Sequence, residues 1–273
     1  MPDFIPQLDA YFARIGYTGP RQPTLAVLHA LTAAHTTSIP FENLDVLLGR
    51  GINLDPAAVE RKLVHQGRGG YCFEQNGFFY HVLAAIGFRV TPISARVRYQ
   101  RPRDFIPPRT HLFLRIELER ASWLTDVGVG GLSLTSAIPL DDSGRELPTP
   151  HEPRRILREG GRLFHQVQFG GEWHDVCEFT LEEMAPIDCE LANWFTSTHP
   201  RSHFKSRLMV ARATPEGRVS ILNREFTRRD RAGRSETHLI SGPDELLAIL
   251  AENFGLRFPA GTRFGPAASP WPT

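Results

Sequence analysis

The chain has 273 residues, 41% hydrophobic and 22% charged, with 31 Lys plus Arg against 30 Asp plus Glu and a formal charge of +1. This composition is far from that of a disordered or membrane-spanning chain, and the near-zero charge gives no global field to hold a polyanion such as duplex DNA, so small-molecule chemistry is favoured. The length suits two or three subdomains packed together better than one undivided core. No basic segment followed by an apolar run opens the chain, and no stretch approaches about 18 consecutive apolar residues, so a cytoplasmic location without membrane or nucleic-acid partners is expected. Cys72, Cys177 and Cys189 are too few, and of the wrong parity, for a disulfide framework.

The first part reads as helical. Leu8, Tyr11, Phe12 and Ile15 share one helix face, and Leu25, Leu28 and Leu31 share another. Asp55-Pro56 opens a third helix in the N-cap and N1 manner, with Val59, Leu63 and Val64 turned inward and Gly67 to Gly70 stopping it. The spacing of Phe79, Val82, Leu83 and Ile86 predicts a fourth helix from Cys72 to Ile86, ended by Gly87. After Arg89 the period changes, and strands are expected at Val90 to Tyr99, His111 to Leu118 and Trp123 to Val127. Arg162 to Phe169 and Glu172 to Phe179, joined by Gly170-Gly171, read as a hairpin in a strongly bent sheet or small barrel. Arg207 to Ala213, Arg218 to Thr227 and Glu236 to Ser241 read as three further strands, followed by a helix from Asp244 to Asn253 and a Pro-rich tail.

Cys72 follows Arg68-Gly69-Gly70-Tyr71 at the start of the fourth predicted helix. A thiolate there is stabilised by the positive end of the helix dipole and by unpaired backbone N–H groups. Taken alone, Cys72 is as well described as a small buried hydrophobe. Two later segments add to it. His111 opens an alternating strand and Asp126 ends another; if those strands are antiparallel neighbours, the aspartate orients the imidazole while the other ring nitrogen faces the thiol. A solvated His111 and an Asp126 that caps a turn are the alternatives. A triad of this kind does not by itself decide whether water or an amine resolves the thioester, so a cysteine hydrolase stands beside an acyltransferase.

The string Arg68-Gly69-Gly70-Tyr71-Cys72-Phe73-Glu74-Gln75-Asn76 resembles the catalytic-cysteine signature of the arylamine N-acetyltransferases, and Pro40-Phe41-Glu42-Asn43-Leu44 resembles their upstream signature. Thr110-His111, Thr125-Asp126-Val127-Gly128 and the stretch from Asn193 to Pro200 are similar to later family segments, in order. The resemblance implies an α+β fold with a papain-like placement of Cys72, His111 and Asp126. It further implies a helical domain over residues 1–90, a β-barrel-like domain over 91–192 and an α/β lid over 193–273. The implied reaction is ping-pong acetylation: Cys72 takes acetyl from acetyl-CoA, and an arylamine, arylhydroxylamine or hydrazine receives it. Gly128, Val129, Gly130 and Gly131 resemble the glycine-rich loop beside the CoA pyrophosphate, although a GxGG run alone is more often a tight turn. The family often has an aromatic residue where this chain has Val129, which implies a wider acceptor pocket.

Other residues are read more plainly. Glu42 and Asn43 are expected to hydrogen-bond backbone near the site. The Pro-rich loop from Arg101 to Arg109 edges the pocket, with arginines that either meet CoA phosphates or stay solvated. His199 and His203 fit surface histidines better than a metal site, because Pro200 lies between them and no HExxH is present, and no metal is expected. Cys177 and Cys189 read as packing residues, and Arg224 to Arg234 as an exposed hairpin. A monomer or weak homo-oligomer is expected.

Overall fold

The computed structural model describes residues 4–265; the end of the Pro-rich tail lies outside the described residues. Helix α1 (Leu8–Ile15) buries Tyr11, Phe12 and Ile15, and α2 (Leu25–Ser38) follows a Thr24 cap whose hydroxyl accepts from Val27 N at 3.4 Å. Strand β1 is the two residues Phe41–Glu42, and α3 (Leu44–Leu47) is a single turn. The Asp55 carboxylate caps α4 (Pro56–Glu60) by accepting from Ala58 N at 2.9 Å, as its Asp-Pro start predicts. A wider π turn, Arg61–His65, then carries the chain to the glycines. The long α5 (Cys72–Ile86) ends at Gly87 with φ 102°, a left-handed cap that disfavours a side chain.

Seven antiparallel strands follow in the spatial order β5-β4-β3-β2-β8-β7-β6: β2 (Arg89–Val97), β3 (His111–Leu118), β4 (Ala121–Thr125), β5 (Ile138–Pro139), β6 (Arg154–Glu159), β7 (Arg162–Phe169) and β8 (Glu172–Glu183). Register shifts at Ile93/Ala95 and His165/Gln166 sharpen the twist. Bridges from Ser143 to Leu157 and Leu147 to Arg154 curl the far edge back, so the sheet is a nearly closed barrel. Its interior holds Ile93, Phe113, Leu124, Ile156, Val167, Val176 and Phe179. The opposite faces of β3 and β4 lie against α2 and α5, where Leu114 and Ile116 join the helical core around Leu28, Leu31, Phe79 and Val82. Each such buried aliphatic or aromatic side chain is worth about 1.5–3 kcal/mol relative to exposure.

Helix α6 (Pro186–Thr198) leads to a second sheet of order β1-β9-β10-β11-β12, built from β9 (Met209–Thr214), β10 (Gly217–Leu222), β11 (Glu225–Asp230) and β12 (Ser235–Leu239), with α7 (Pro243–Phe254) on one face. Two expectations are corrected here. The strand predicted from Arg218 to Thr227 is two strands: the chain turns at Asn223-Arg224, where Asn223 adopts φ 54°. The apolar alternation of Val219 and Ile221 breaks at the polar run Asn223-Arg224-Glu225, and Asn is one of the few non-Gly residues that tolerates the left-handed region. Helix α6 is also a continuous element that the strand-rich reading of the middle did not contain. The Arg224 to Arg234 run does form the expected hairpin, β11 against β12.

Candidate active site

Cys72 is the first residue of α5 and is buried. The turn before it is fixed by the helix's own side chains. Glu74 accepts from Tyr71 N at 3.0 Å through one carboxylate oxygen and from Lys62 at 2.7 Å through the other. Gln75 donates to Gly70 O at 2.6 Å and to Pro40 O at 3.2 Å, and accepts from His35 Nε2 at 3.2 Å. His35 is fully buried and pushed down to about 3 by burial, so it is a neutral ring, accepting from the Tyr11 hydroxyl at 2.9 Å. Gly69 is required by close approach: a Cβ there would stand 2.0 Å from Pro40 O.

Strand alternation turns His111 and Phe113 to the barrel side, with the two rings stacked 5.9 Å apart. The β3–β4 ladder closes at Leu114–Thr125, so Asp126 stands one residue beyond it and reaches His111 diagonally, Oδ2 to Nε2 at 2.6 Å. With Nε2 on Asp126, Nδ1 is the ring nitrogen left for the nearby Cys72, whose thiol lies 3.7 Å from Thr110 O and favours a charged His111. The predicted trio is therefore brought together. Burial opposes a charged His111, but the Asp126 carboxylate beside it and the contact with Cys72 outweigh that and push it up to about 10. Burial likewise works against the Asp126 charge, and His111 with three hydrogen bonds holds the carboxyl below its ordinary range.

Asn76, quoted only as part of a signature at the sequence level, is the connector. One turn along α5 from Cys72, its amide donates to Leu112 O at 2.7 Å and to Asp126 Oδ1 at 2.9 Å, and its carbonyl accepts from Val127 N at 3.0 Å. One side chain thus ties the helix to both strands. Gly128 follows, its N–H donating to Asp126 Oδ1 at 3.0 Å; a Cβ on it would meet Cys72 Cα and Asn76 Nδ2 at 2.7 Å. Val129, Gly130 and Gly131 continue the loop, with Gly130–Leu132 a 3₁₀ turn and Gly130 at φ 73° against the Phe41 ring. Open backbone of this kind next to a helix N-terminus suits an oxyanion or phosphate.

Glu42 and Asn43 do bind backbone, and more. Glu42 accepts from Leu44 N at 2.8 Å and from Arg68 at 2.6 Å; Asn43 donates to Phe204 O and Arg207 O at 2.8 Å and accepts from Met209 N at 2.9 Å. Asn43 is therefore the clasp between the helical part and the second sheet. In the Pro-rich loop, Arg103 is engaged by Asp175 at 2.7 Å and by Glu159, and the loop backbone is held by Arg98. His199 stacks on Phe195 at 4.6 Å, and His203 lies tilted against Phe204 at 4.7 Å. Cys177 is more than packing in position: its sulfur and donor atoms of His111 and Asp126 all lie within 4.8 Å of one another, with burial pushing the Cys177 thiol up. No sequence signal marks that proximity, which follows from β2 pairing with both β3 and β8. Among the described residues, no helix is long and apolar enough to cross a membrane.

The sequence profile of a family described as N-acetyltransferase matches residues 24–262. An arylamine N-acetyltransferase of Escherichia coli K12 is 40% identical over 252 residues, 92% of this chain and 89% of that protein. The solved structure of the arylamine N-acetyltransferase from M. tuberculosis superposes with a TM-score of 0.88 at 39% identity, covering 91% of this chain and 93% of the other. The Mycobacterium marinum arylamine N-acetyltransferase, solved in complex with CoA, matches with a TM-score of 0.88 at 36% identity, covering 91% and 92%.

Proposed function

Because the chain belongs to the arylamine N-acetyltransferase family, a family of acyltransferases, we propose that it acetylates arylamines, arylhydroxylamines or hydrazines from acetyl-CoA by a ping-pong route through Cys72. The observation that carries this reading is the buried 2.6 Å contact of His111 with Asp126, beside Cys72 at the first residue of α5. In this reading residues 1–90 bring the nucleophile, 91–192 its histidine and aspartate, and 193–273 the lid.

Cys72 attacks as thiolate, paired with the His111 imidazolium that Asp126 sustains. The sulfur bonds to the carbonyl carbon of acetyl-CoA, and the developing oxyanion faces the first-turn N–H groups of α5, which have no partner within the helix. The C–S bond to CoA then breaks, and His111 gives its proton to the departing CoA sulfur. An amine attacks the acetyl-Cys72 carbonyl; neutral His111 takes the amine proton, and Cys72 leaves as thiolate, which restores the ion pair. The Gly128–Gly131 backbone is the part suited to the CoA pyrophosphate, as its closeness to Cys72 Cα supports. Val129, half-buried on the barrel core, leaves more room for the acceptor than an aromatic ring.

The test is the intact mass after incubation with acetyl-CoA and no acceptor. One acetyl adduct is expected on wild type, none on Cys72→Ala, with discharge on adding an arylamine. Rapid alkylation of Cys72 without an acetyl adduct would refute CoA as the donor and favour a hydrolase.

A further inference from the structure

Two side chains of the barrel interior stand next to the triad and have no part in acyl transfer. Cys177 of β8 is buried, and its sulfur lies within 4.8 Å of a donor atom of His111 and of Asp126, which are within 4.8 Å of each other. Among the described residues, these three are the one group of metal-ligating side chains spaced this closely. His165 of β7 is directly opposite Cys177 in the ladder, so the two side chains leave the sheet on the same face. It is 2% exposed and close enough to interact with the charges of both Asp126 and His111. Its Nε2 is buried without a hydrogen-bond partner, although buried polar groups normally have one.

The donor set selects the occupant. Sulfur, two imidazoles and one carboxylate oxygen suit zinc, whereas magnesium and calcium take oxygen ligands. Tetrahedral bonds to zinc place ligand atoms about 3.3–3.8 Å apart. Small side-chain shifts reach that spacing: a contraction from the 4.8 Å spread and a parting of the 2.6 Å contact between His111 and Asp126. Asp126 already has the outer support that ligating carboxylates need, because Oδ1 accepts from Asn76 at 2.9 Å and from Gly128 N at 3.0 Å and leaves Oδ2 for an ion. Burial pushes His165 down to about 3, so it is the neutral imidazole that metals bind. Arg154 acts on both His165 and Cys177 and opposes a bare cation. The exchange adds no charge, however: one divalent ion enters, while the proton between His111 and Asp126 and the Cys177 thiol proton leave.

We propose that His111, Asp126, Cys177 and His165 form an inhibitory site for a zinc-class divalent ion, which replaces the proton between His111 and Asp126 and so withdraws the general base from Cys72. The inhibition rests on the acyl-transfer reading; the binding does not. Titration of the whole chain with cobalt(II), a spectroscopic stand-in for zinc, tests the binding. A sulfur-to-cobalt charge-transfer band is expected to saturate at one ion per chain, displaced by zinc and not by magnesium. Cys72→Ala should keep the band with an affinity within threefold of wild type, Cys177→Ala should lose it, and His165→Phe should bind at least tenfold more weakly. A cooperative melt of each variant checks its folding. Zinc should also stop acetyl transfer reversibly, with activity restored by a chelator, and metal-free Cys177→Ala should stay active and need at least tenfold more zinc for the same inhibition. No band in wild type would overturn the site. A band lost in Cys72→Ala and kept in folded Cys177→Ala would overturn it too, by placing the ion on the nucleophile. If acetyl transfer itself is absent, the cobalt titration still decides the site.

Discussion

Asn76 and Glu152 hold comparable positions, each a buried polar side chain that joins three partners. Asn76 is neutral, and its partners balance: two acceptors for its amide hydrogens and one donor for its carbonyl. Glu152 sits where the barrel meets the second sheet and binds Arg218 at 2.6 Å, Arg154 at 3.0 Å and Arg229 at 3.2 Å. Three guanidinium groups thus surround one carboxylate, which they hold far below its ordinary range. Among the described residues, Nε and Nη1 of Arg154, Nη1 of Arg218 and the Ser133 hydroxyl have no hydrogen-bond partner. The lesson is that the seam around Cys72 is a closed network specifying one geometry, whereas the seam under the lid is an over-charged joint held through a single acid. A closed network is sensitive at every member; the joint should be sensitive chiefly at Glu152.

The largest expected effect tests the closed side. Asp126→Asn retains the volume and can still meet Asn76 and Gly128, but it no longer sustains the His111 charge. We expect kcat/KM to fall about 10³-fold or more with a melting temperature close to wild type. A variant within tenfold of wild type would mean that the pair is structural. On the joint, Glu152→Ala leaves the buried Arg154 and Arg218 and the half-buried Arg229 without a counter-charge and is expected to destabilise by about 3–5 kcal/mol in chemical denaturation. A loss below about 1 kcal/mol would break the comparison, because the acid would then not be what holds the arginines.

Asn76→Ala sharpens it. The change strands Leu112 O, one oxygen of Asp126 and Val127 N together, and should cost about 1–3 kcal/mol in stability. The activity loss is expected mainly in kcat, since Cys72, His111 and Asp126 all persist but are no longer held in register. An unchanged kcat alongside lost stability would reduce Asn76 to a packing role. pH gives a graded test of the same seam. The folded His111 is raised to about 10 from an ordinary 6.5, so its stabilising contribution is fully present below 6.5, erodes as pH rises and is gone above about 10. Asp126 is lowered in the fold, so its contribution is present above its ordinary 3.8 and is lost as pH falls through the folded value. Denaturation of wild type and His111→Gln across pH 6 to 10.5 should therefore show a gap that closes with rising pH; a constant gap would contradict the charged His111.

The two seams also differ in how far they could be read in advance. Helix α5 is written locally: glycines before Cys72, Glu74 placed to cap Tyr71, the spacing of Phe79, Val82 and Ile86, and Gly87 at the end. His111 and Asp126 stand at strand ends that alternation reveals. The joint is not local. Glu152 and Arg218 are 66 residues apart and meet only when the barrel edge packs on the lid sheet. Strand β1 is two residues long and has meaning only through its pairing with Val210 and Ala211. Helix α6 escaped because Ile187, Leu191 and Trp194 point outward, so its apolar pattern does not mark a buried face. Asn76 was in view as a letter of a motif, but its task depends on three elements converging, which no period encodes.

The smallest expected effect is the most discriminating for the joint. Arg154 is fully buried, with one of its nitrogens on Glu152 and two others unpartnered. Burial and the neighbouring arginines push it down to about 10, the direction expected of a charge that its surroundings disfavour. Arg154→Met keeps most of the side-chain volume, removes that charge and leaves Glu152 paired with both Arg218 and Arg229. Replacing such a group by an apolar one of similar size is often neutral or stabilising. We therefore expect a stability change within about 1 kcal/mol of wild type, of either sign, in the same denaturation series that shows the large loss for Glu152→Ala. If Arg154→Met instead costs as much as Glu152→Ala, the arginine is an equal member of a closed network. The joint would then obey the same rule as the seam around Cys72.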